Sequence, residues 1–287
     1  MFYGWWIVVF AFLASGFGGA TIWYGFTAFF DPLIKEFGWS YTAISLAASL
    51  RGVEIGLLDV VVGFLVDRFG GRAIIFGGSL LIGVGYLLLS RVDSLATFYL
   101  SFIIIFIGGS GISNVVFFSV ITRWFRKRLG LALGLVTVGV GAGGFALPGI
   151  VQLMNLVGFR QTFVIFGITA FAVGALTAYF VRSRPEDIGL GPDGISLNLN
   201  AGAGGSSPTS PAESPPQYPS FRESIRSAPF WAITYASLTC AFALMMVTTH
   251  VMPYLEHTGY SRSTASVVAM MIPVLSMVGR LGGGWVS

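Results

Sequence analysis

The sequence predicts an all-α membrane protein. Three observations carry this: 55% of its 287 residues are hydrophobic, only 10% are charged, and the mean hydropathy is +0.81. So few charges cannot cover a soluble globule of this size with polar surface. The apolar residues fall in runs of about 20, enough to cross a bilayer as helix, and the charges gather in short turns between the runs. The densest of these turns is Gly63-Phe64-Leu65-Val66-Asp67-Arg68-Phe69-Gly70-Gly71-Arg72. Backbone leaving the hydrocarbon is finished by helix ends, tight turns and water-facing charge. The 39 glycines fit the same class, because membrane helices approach one another through small residues. Cys240 is the single cysteine and lies in an apolar run, which excludes a disulfide within the chain or a thiolate metal cluster.

Eight spans follow in order: Tyr3 to Phe30, Thr42 to Val66, Ala73 to Leu89, Leu95 to Thr122, Leu129 to Val157, Thr162 to Val181, Pro229 to Tyr254, and Ser263 to the end. The first basic residue is Lys35, so no cleavable signal peptide is expected and the first span is retained. Loops then alternate between two sides. One side holds Arg68, Arg72, Arg123, Arg126, Lys127, Arg128, Arg182, Arg184, Arg222 and Arg226, and the other holds only Lys35, Arg91, Arg160 and Arg262. That asymmetry places the N-terminus and the Asp67 turn in the cytoplasm. Between Arg184 and Arg222 the composition turns to Gly, Ser and Pro, too polar and too small to bury a core. Residues 1–182 are therefore expected to form a six-helix bundle, 183–228 a flexible cytoplasmic linker, and 229–287 the first two helices of a second bundle.

A repeat sharpens this division. A gapless shift of 221 residues lays Gly38-Trp39-Ser40 on Gly259-Tyr260-Ser261, Ser45 on Ser266, Ala48 on Ala269, Val53 on Val274 and Gly63 on Gly284. Span eight is then a second copy of span two, with Asp59 falling on Arg280. The position equivalent to Asp67 comes just after Ser287, so the chain is expected to be a fragment whose continuation begins with an aspartate.

Gly63, Asp67, Arg68, Gly70 and Arg72 make the chain resemble the major facilitator superfamily, which carries a glycine, an aspartate-arginine pair, a further glycine and basic residues between spans two and three. Within it, Trp124-Phe125-Arg126-Lys127-Arg128-Leu129-Gly130-Leu131-Ala132-Leu133-Gly134 is similar to the entry of span five in the monocarboxylate and oxalate/formate transporters. Gly4-Trp5-Trp6, Phe37-Gly38-Trp39-Ser40 and Arg184 to Asp187 are similar to other parts of that branch. The resemblance implies a major facilitator-type fold of twelve spans, of which this chain holds the complete N-terminal six-helix bundle and two more helices. It implies a monomeric carrier in the plasma membrane that moves a monocarboxylate or dicarboxylate by alternating access, coupled to H+ or by anion exchange. The alternatives are a sensor or scaffold that keeps the fold without transporting, and a facilitator of another small solute. No cofactor, metal, nucleic-acid partner or enzymatic activity is expected, as no phosphate loop, paired metal-spaced histidines or nucleophile arrangement is present.

Charges inside spans cost about 2.5–3.5 kcal/mol each on insertion scales and so ask for a reason. Four qualify: Arg51, Glu54, Asp59 and Arg280. Arg280 shares a helical face with Ser276, Gly283 and Gly284 and suits bidentate binding of a substrate carboxylate. The resemblance agrees, since carboxylate carriers place an arginine there; their aspartate one turn earlier is Ser276 here. Asp59, on the face of Gly56 and Gly63, is expected to bind substrate or carry a proton, and Glu54 is an equal proton-coupling candidate; Arg51 and Glu54 alternatively neutralise each other. Tyr24 and His250 are further substrate-binding candidates, although Tyr24 and Trp23 also fit interfacial anchoring. Gly63, Asp67, Arg68, Gly70 and Arg72 are expected to latch the two bundles in one state of the access cycle. Gly130, Gly134, Gly139 and Gly143, spaced along span five before Pro148, are expected to pack helices closely.

Overall fold

In the computed structural model, backbone is described for residues 2–183, 185–194 and 221–286, and side chains for these except at 48, 51–56, 187, 188, 221, 222, 224, 273 and 278–286. Span one begins as α1 (Gly4–Gly18), whose buried residues Gly4, Ile7, Val8, Ala11, Ala14, Ser15 and Gly18 recur at three- and four-residue spacing. It widens into a π turn over Gly19–Tyr24, tightens into a 3-10 turn over Gly25–Phe29, and resumes as α2 (Phe30–Phe37). The span is therefore longer than expected. Its apolar run continues through Leu33 and Ile34, Pro32 falls in the first turn of α2 where its missing N–H is tolerated, and Asp31 pairs with Lys35 one turn on at 2.9 Å. This moves Trp23 and Tyr24 from a membrane interface to mid-span, correcting the anchoring alternative.

Span two is α3 (Tyr41–Phe69), span three α4 (Gly71–Leu89), and span four α5 (Leu95–Ser110) followed by α6 (Asn114–Trp124). Span five is α7 (Leu129–Ala142), a 3-10 turn over Gly143–Ala146 and α8 (Leu147–Val157); span six is α9 (Phe159–Phe180). A short α10 (Phe221–Arg226) leads to α11 (Ala228–His257) and α12 (Arg262–Val286). Among the described residues, six spans are long and apolar enough to cross a bilayer, and α3 and α12 supply the other two expected helices. Residues 185–194, inside the stretch expected as linker, form two short 3-10 turns, and the Asp193 carboxylate accepts from the backbone N–H groups of Arg126 and Lys127 at 3.0 and 3.1 Å. The Gly/Ser/Pro-rich segment 195–220 lies outside the described residues.

Spans two to three and five to six are joined the same way, by one glycine that ends one helix and starts the next. Gly70 has φ 80° and ψ 153°, and Gly158 φ 82° and ψ 162°, a region only glycine enters freely. The two turns fall on opposite sides, as expected for three-span units repeated with inverted topology.

The 221-residue repeat is built into the structure. Gly38 and Gly259 both adopt positive φ, 67° and 96°. Ser40 then accepts a hydrogen bond from Ala43 N–H at 3.2 Å, and Ser261 from Thr264 N–H at 3.2 Å. Ser45 donates to the Thr42 carbonyl and Ser266 to the Ser263 carbonyl, and Ile44 and Ala265 are both fully buried. The two helices therefore start with the same cap and present the same inward positions.

Small residues bring backbones together where span one meets span five. A Cβ added at Gly139 would lie 2.7 Å from the Phe12 carbonyl oxygen, and one at Gly143 under 3.0 Å from Gly16 and Ala20 backbone atoms. A second seam joins spans three and four, where a Cβ at Gly78 would meet Gly108 O at 2.6 Å and Gly111 Cα at 2.8 Å. Gly130 and Gly134 do not pack in this way: nothing described lies within 4 Å of a Cβ at either. α7 also packs on α12, whose side chains from position 278 lie outside the described residues.

Candidate functional site

Three spans break at one level of the bundle. Span one does so through its π and 3-10 turns, span four at Gly111–Ser113, and span five at the 3-10 turn before Pro148. Irregular backbone at such depth is stable only against protein or a polar cavity. A cavity of about 290 Å³ lies there, lined by Ser15, Gly18, Ile22, Trp23, Tyr24, Asp59, Phe106, Gly109, Ser110, Ile112, Ser113, Asn114, Val140 and Leu244. It is at the small end of ligand pockets, which hold about 300–1,000 Å³.

Asp59 reaches it from α3, where Val62 and Val66 on the same face are buried while Val60, Val61 and Phe64 face outward. Ser113 lies beside the Asp59 carboxyl and is the N-cap residue of α6, so the positive end of that helix opens on the cavity. Ser15 faces in from α1. Among the described residues lining the cavity, Asp59 is the one charged group. A wider depression of about 590 Å³ between Phe69, Arg72, Phe76 and Tyr179 is a surface groove at the end of the bundle and holds no buried polar atom lacking a partner.

The structure thus brings Asp59 and Tyr24 together, with Trp23 beside them. His250 does not line this cavity: its Nδ1 is hydrogen-bonded to the Tyr41 hydroxyl at 2.7 Å, near the end of α11. The side chains of Arg280, Glu54 and Arg51 lie outside the described residues. Ser15, Ser113 and Asn114 are site residues that sequence reasoning missed; the polar, glycine-rich stretch Gly108-Gly109-Ser110-Gly111-Ile112-Ser113 was the available signal.

Spans seven and eight meet the first six unevenly. At the His250 end, Met252 is fully buried and its Sδ lies 3.9 Å from Thr27 Oγ1, while the Arg262 guanidinium donates to the Ala28 carbonyl and lies 3.8 Å from the Glu256 carboxylate. Towards the opposite end α11 is uncovered, with Ile233, Tyr235 and Phe242 exposed. α12 packs on α7, the adjoining 3-10 turn and α8.

At the opposite end sits the charged turn. Asp67 pairs with Arg123, from the end of α6, at 3.0 Å; Arg68 lies over the Phe69 ring; and the Arg72 N–H approaches Ser183 Oγ at 3.5 Å. These contacts all stay within the first six spans and the residues just after them. Among the described residues no contact of this turn reaches α11 or α12, and a Cβ at Gly63 would meet nothing described within 4 Å. The Asp67–Arg123 pair is exposed, so Arg123→Ala is expected to change stability by less than about 1 kcal/mol. Gly70→Ala is expected to cost more, about 1–3 kcal/mol, because of its φ and of Ser183 Oγ at 2.8 Å from the new Cβ. Thermal unfolding of the two variants side by side checks the order.

A polytopic helical bundle whose broken spans surround a cavity holding one carboxylate and three serines defines the class. The chain matches the Major Facilitator Superfamily over residues 8–287 and belongs to that family. It is 26% identical over 287 residues to "Monocarboxylate transporter 13" of Bos taurus, covering 99% of this chain and 62% of that protein. It is 23% identical over 248 residues to the "Oxalate:formate antiporter" of Oxalobacter formigenes, covering 85% and 54%. A crystal structure of a bacterial homolog of the human lysosomal transporter Spinster, in an inward-facing and unoccupied conformation, superposes with a TM-score of 0.70 at 19% identity, covering 96% of this chain and 60% of that one. That last likeness establishes the fold. The chain spans less than two thirds of the length of these relatives.

Proposed function

We propose that this chain belongs to a secondary carrier that moves a small organic anion, a monocarboxylate or dicarboxylate, by alternating access. The observation that carries the reading is the cavity in which Ser15, Asp59 and Ser113 converge from three spans between broken helices. Anionic substrates are favoured by the α6 N-terminus at that cavity and by the printed names of two relatives, a monocarboxylate transporter and an oxalate:formate antiporter. Residues 1–182 act as one bundle and the helices from 229 onward begin the second, joined through the linker. The Asp67 end faces the cytoplasm of a plasma-membrane monomer, so contacts at the His250 end with an open opposite end correspond to inward access. Asp59 carries the proton in symport, with Glu54 as the second candidate.

Uptake by the full-length protein in proteoliposomes tests this, with labelled acetate, formate and oxalate, with and without an acid-outside gradient. Saturable uptake of at least one anion is expected, raised by the gradient under proton coupling or by preloaded anion under exchange. Absence of flux with every anion and both driving forces would overturn the carrier reading in favour of a sensor or scaffold.

A further inference from the structure

The groove of about 590 Å³ at the Asp67 end is a shaped furrow on the outer face of the bundle. It runs between α4 and α9, the helices of spans three and six, whereas α11 and α12 pack on spans one and five. Its floor is made of small residues, Ala73, Ala175 and Ala178. Its walls are the rings of Phe69, Phe76 and Tyr179, each more than half exposed. Large rings standing beside alanines leave a channel where a helix pair of uniform side chains would leave a flat surface.

The two ends of the furrow differ in chemistry. At the outer end stand Arg72 and Ser183; Ser183 Oγ accepts from the Arg72 backbone N–H at 3.5 Å, which leaves the guanidinium and the serine proton to donate elsewhere. Among the described residues no ion pair involves Arg72, and no carboxylate lines the groove. Deeper in, Phe76 lies one helical turn beyond Arg72, and Ala175 more than one turn inside the end of α9, a depth of about 6–8 Å at 1.5 Å per residue. The same face continues through the exposed Leu80 and Ile168. A ligand that matches both ends has an anionic head with acceptor oxygens and an apolar tail. A guanidinium holds a phosphate through parallel N–H bonds, and a basic pocket between membrane helices is a place where anionic headgroups bind. The exposed Arg126, Lys127 and Arg182 attract anionic lipid diffusely over this whole end; the furrow supplies a fixed seat.

We propose that the groove between α4 and α9 binds an anionic phospholipid, with its phosphate on Arg72 and Ser183 and the upper part of one acyl chain on the alanine floor between the aromatic walls. The site is separate from the Asp59 cavity and does not depend on which solute is carried. A lipid seated there joins the turn after span two to the end of span six, on the side of the bundle away from α11 and α12.

The test titrates the full-length protein in detergent with dioleoylphosphatidylglycerol, dioleoylphosphatidylcholine and glycerol 3-phosphate, read by native mass spectrometry and thermal shift. Phosphatidylglycerol is expected to bind about tenfold tighter than phosphatidylcholine, the scale of one charge-assisted contact. Arg72→Gln is expected to abolish that preference. Ala175→Leu, at an exposed position, fills the floor and is expected to weaken both lipids while Arg72 stays in place, which keeps the test decisive if the Arg72 variant does not fold. Arg126→Gln, exposed at the same end but outside the groove, is expected to keep the preference. Equal binding of the two lipids by the wild-type protein overturns the proposal, as does an Ala175→Leu protein that binds both unchanged. A loss from Arg126→Gln as large as that from Arg72→Gln overturns it in favour of diffuse attraction. Glycerol 3-phosphate binding as tightly as phosphatidylglycerol overturns it in favour of a site for free phosphate esters.

Discussion

Arg280→Ala is expected to lower carboxylate uptake by the full-length protein by about 100-fold or more, the scale of removing one member of a buried hydrogen-bonded charge pair. The charges around the cavity point to this residue. Its described lining holds one carboxylate and no cation, so the α6 N-terminus alone faces a bound anion with positive potential. α12 runs helically through position 280 and packs on α7, the segment that contributes Val140 to the cavity. The repeat strengthens the assignment: α3 and α12 start with the same serine cap, so Asp59, which does face the cavity, has Arg280 as its equivalent. Arg280→Lys keeps the charge but loses the planar fork, and a comparable loss is expected. Removing an in-span charge does not hinder membrane insertion, so both variants should elute as folded protein on size exclusion. Undiminished uptake by Arg280→Ala would withdraw the span-eight site.

Most of the fold was legible because long apolar runs and charged turns are imposed by the bilayer itself. The repeat was legible for a second reason. Gly38 and Gly259 are needed at positive φ, and Ser40 and Ser261 are needed as caps, so the structural demand kept the residue types at both sites. The site was only half legible. A charge in a span announces itself, which is how Asp59 was found. Ser15 carries no such mark: in sequence it looks like Ser79 or Ser101, which simply bond to their own helices. What distinguishes it is the cavity it faces, created by three helix breaks on different spans. Arg123 was hidden likewise, since its pairing with Asp67 depends on how α6 ends beside α3. Span one was underestimated because Asp31, Lys35 and Glu36 read as a loop, while an intrahelical pair and a proline in the first turn allow helix there.

Gly143→Val carries the largest expected stability effect. A Cβ at position 143 would fall under 3.0 Å from backbone atoms of Gly16, Gly19 and Ala20, and backbone cannot swing aside as the end of a long side chain can. Gly139 against Phe12, and Gly19 against Val140, continue the same seam, so relief at one point means separating span one from span five along several turns. That separation also displaces Ser15, Gly18 and Val140, all of which line the cavity. Overpacking of this kind costs about 3 kcal/mol or more, enough to remove most folded protein from a marginally stable membrane bundle. Gly134→Ala is the informative control, on the same span with a Cβ that would meet nothing described within 4 Å. It should be neutral or stabilising by up to about 1 kcal/mol, since alanine is the better helix former. Fluorescence-detected size exclusion and thermal unfolding in detergent compare the two directly. Equal damage from both substitutions would show that glycine content, rather than the Gly139–Gly143 seam, holds span five in place; a stable Gly143→Val protein would show that the two backbones do not meet as closely as the seam requires.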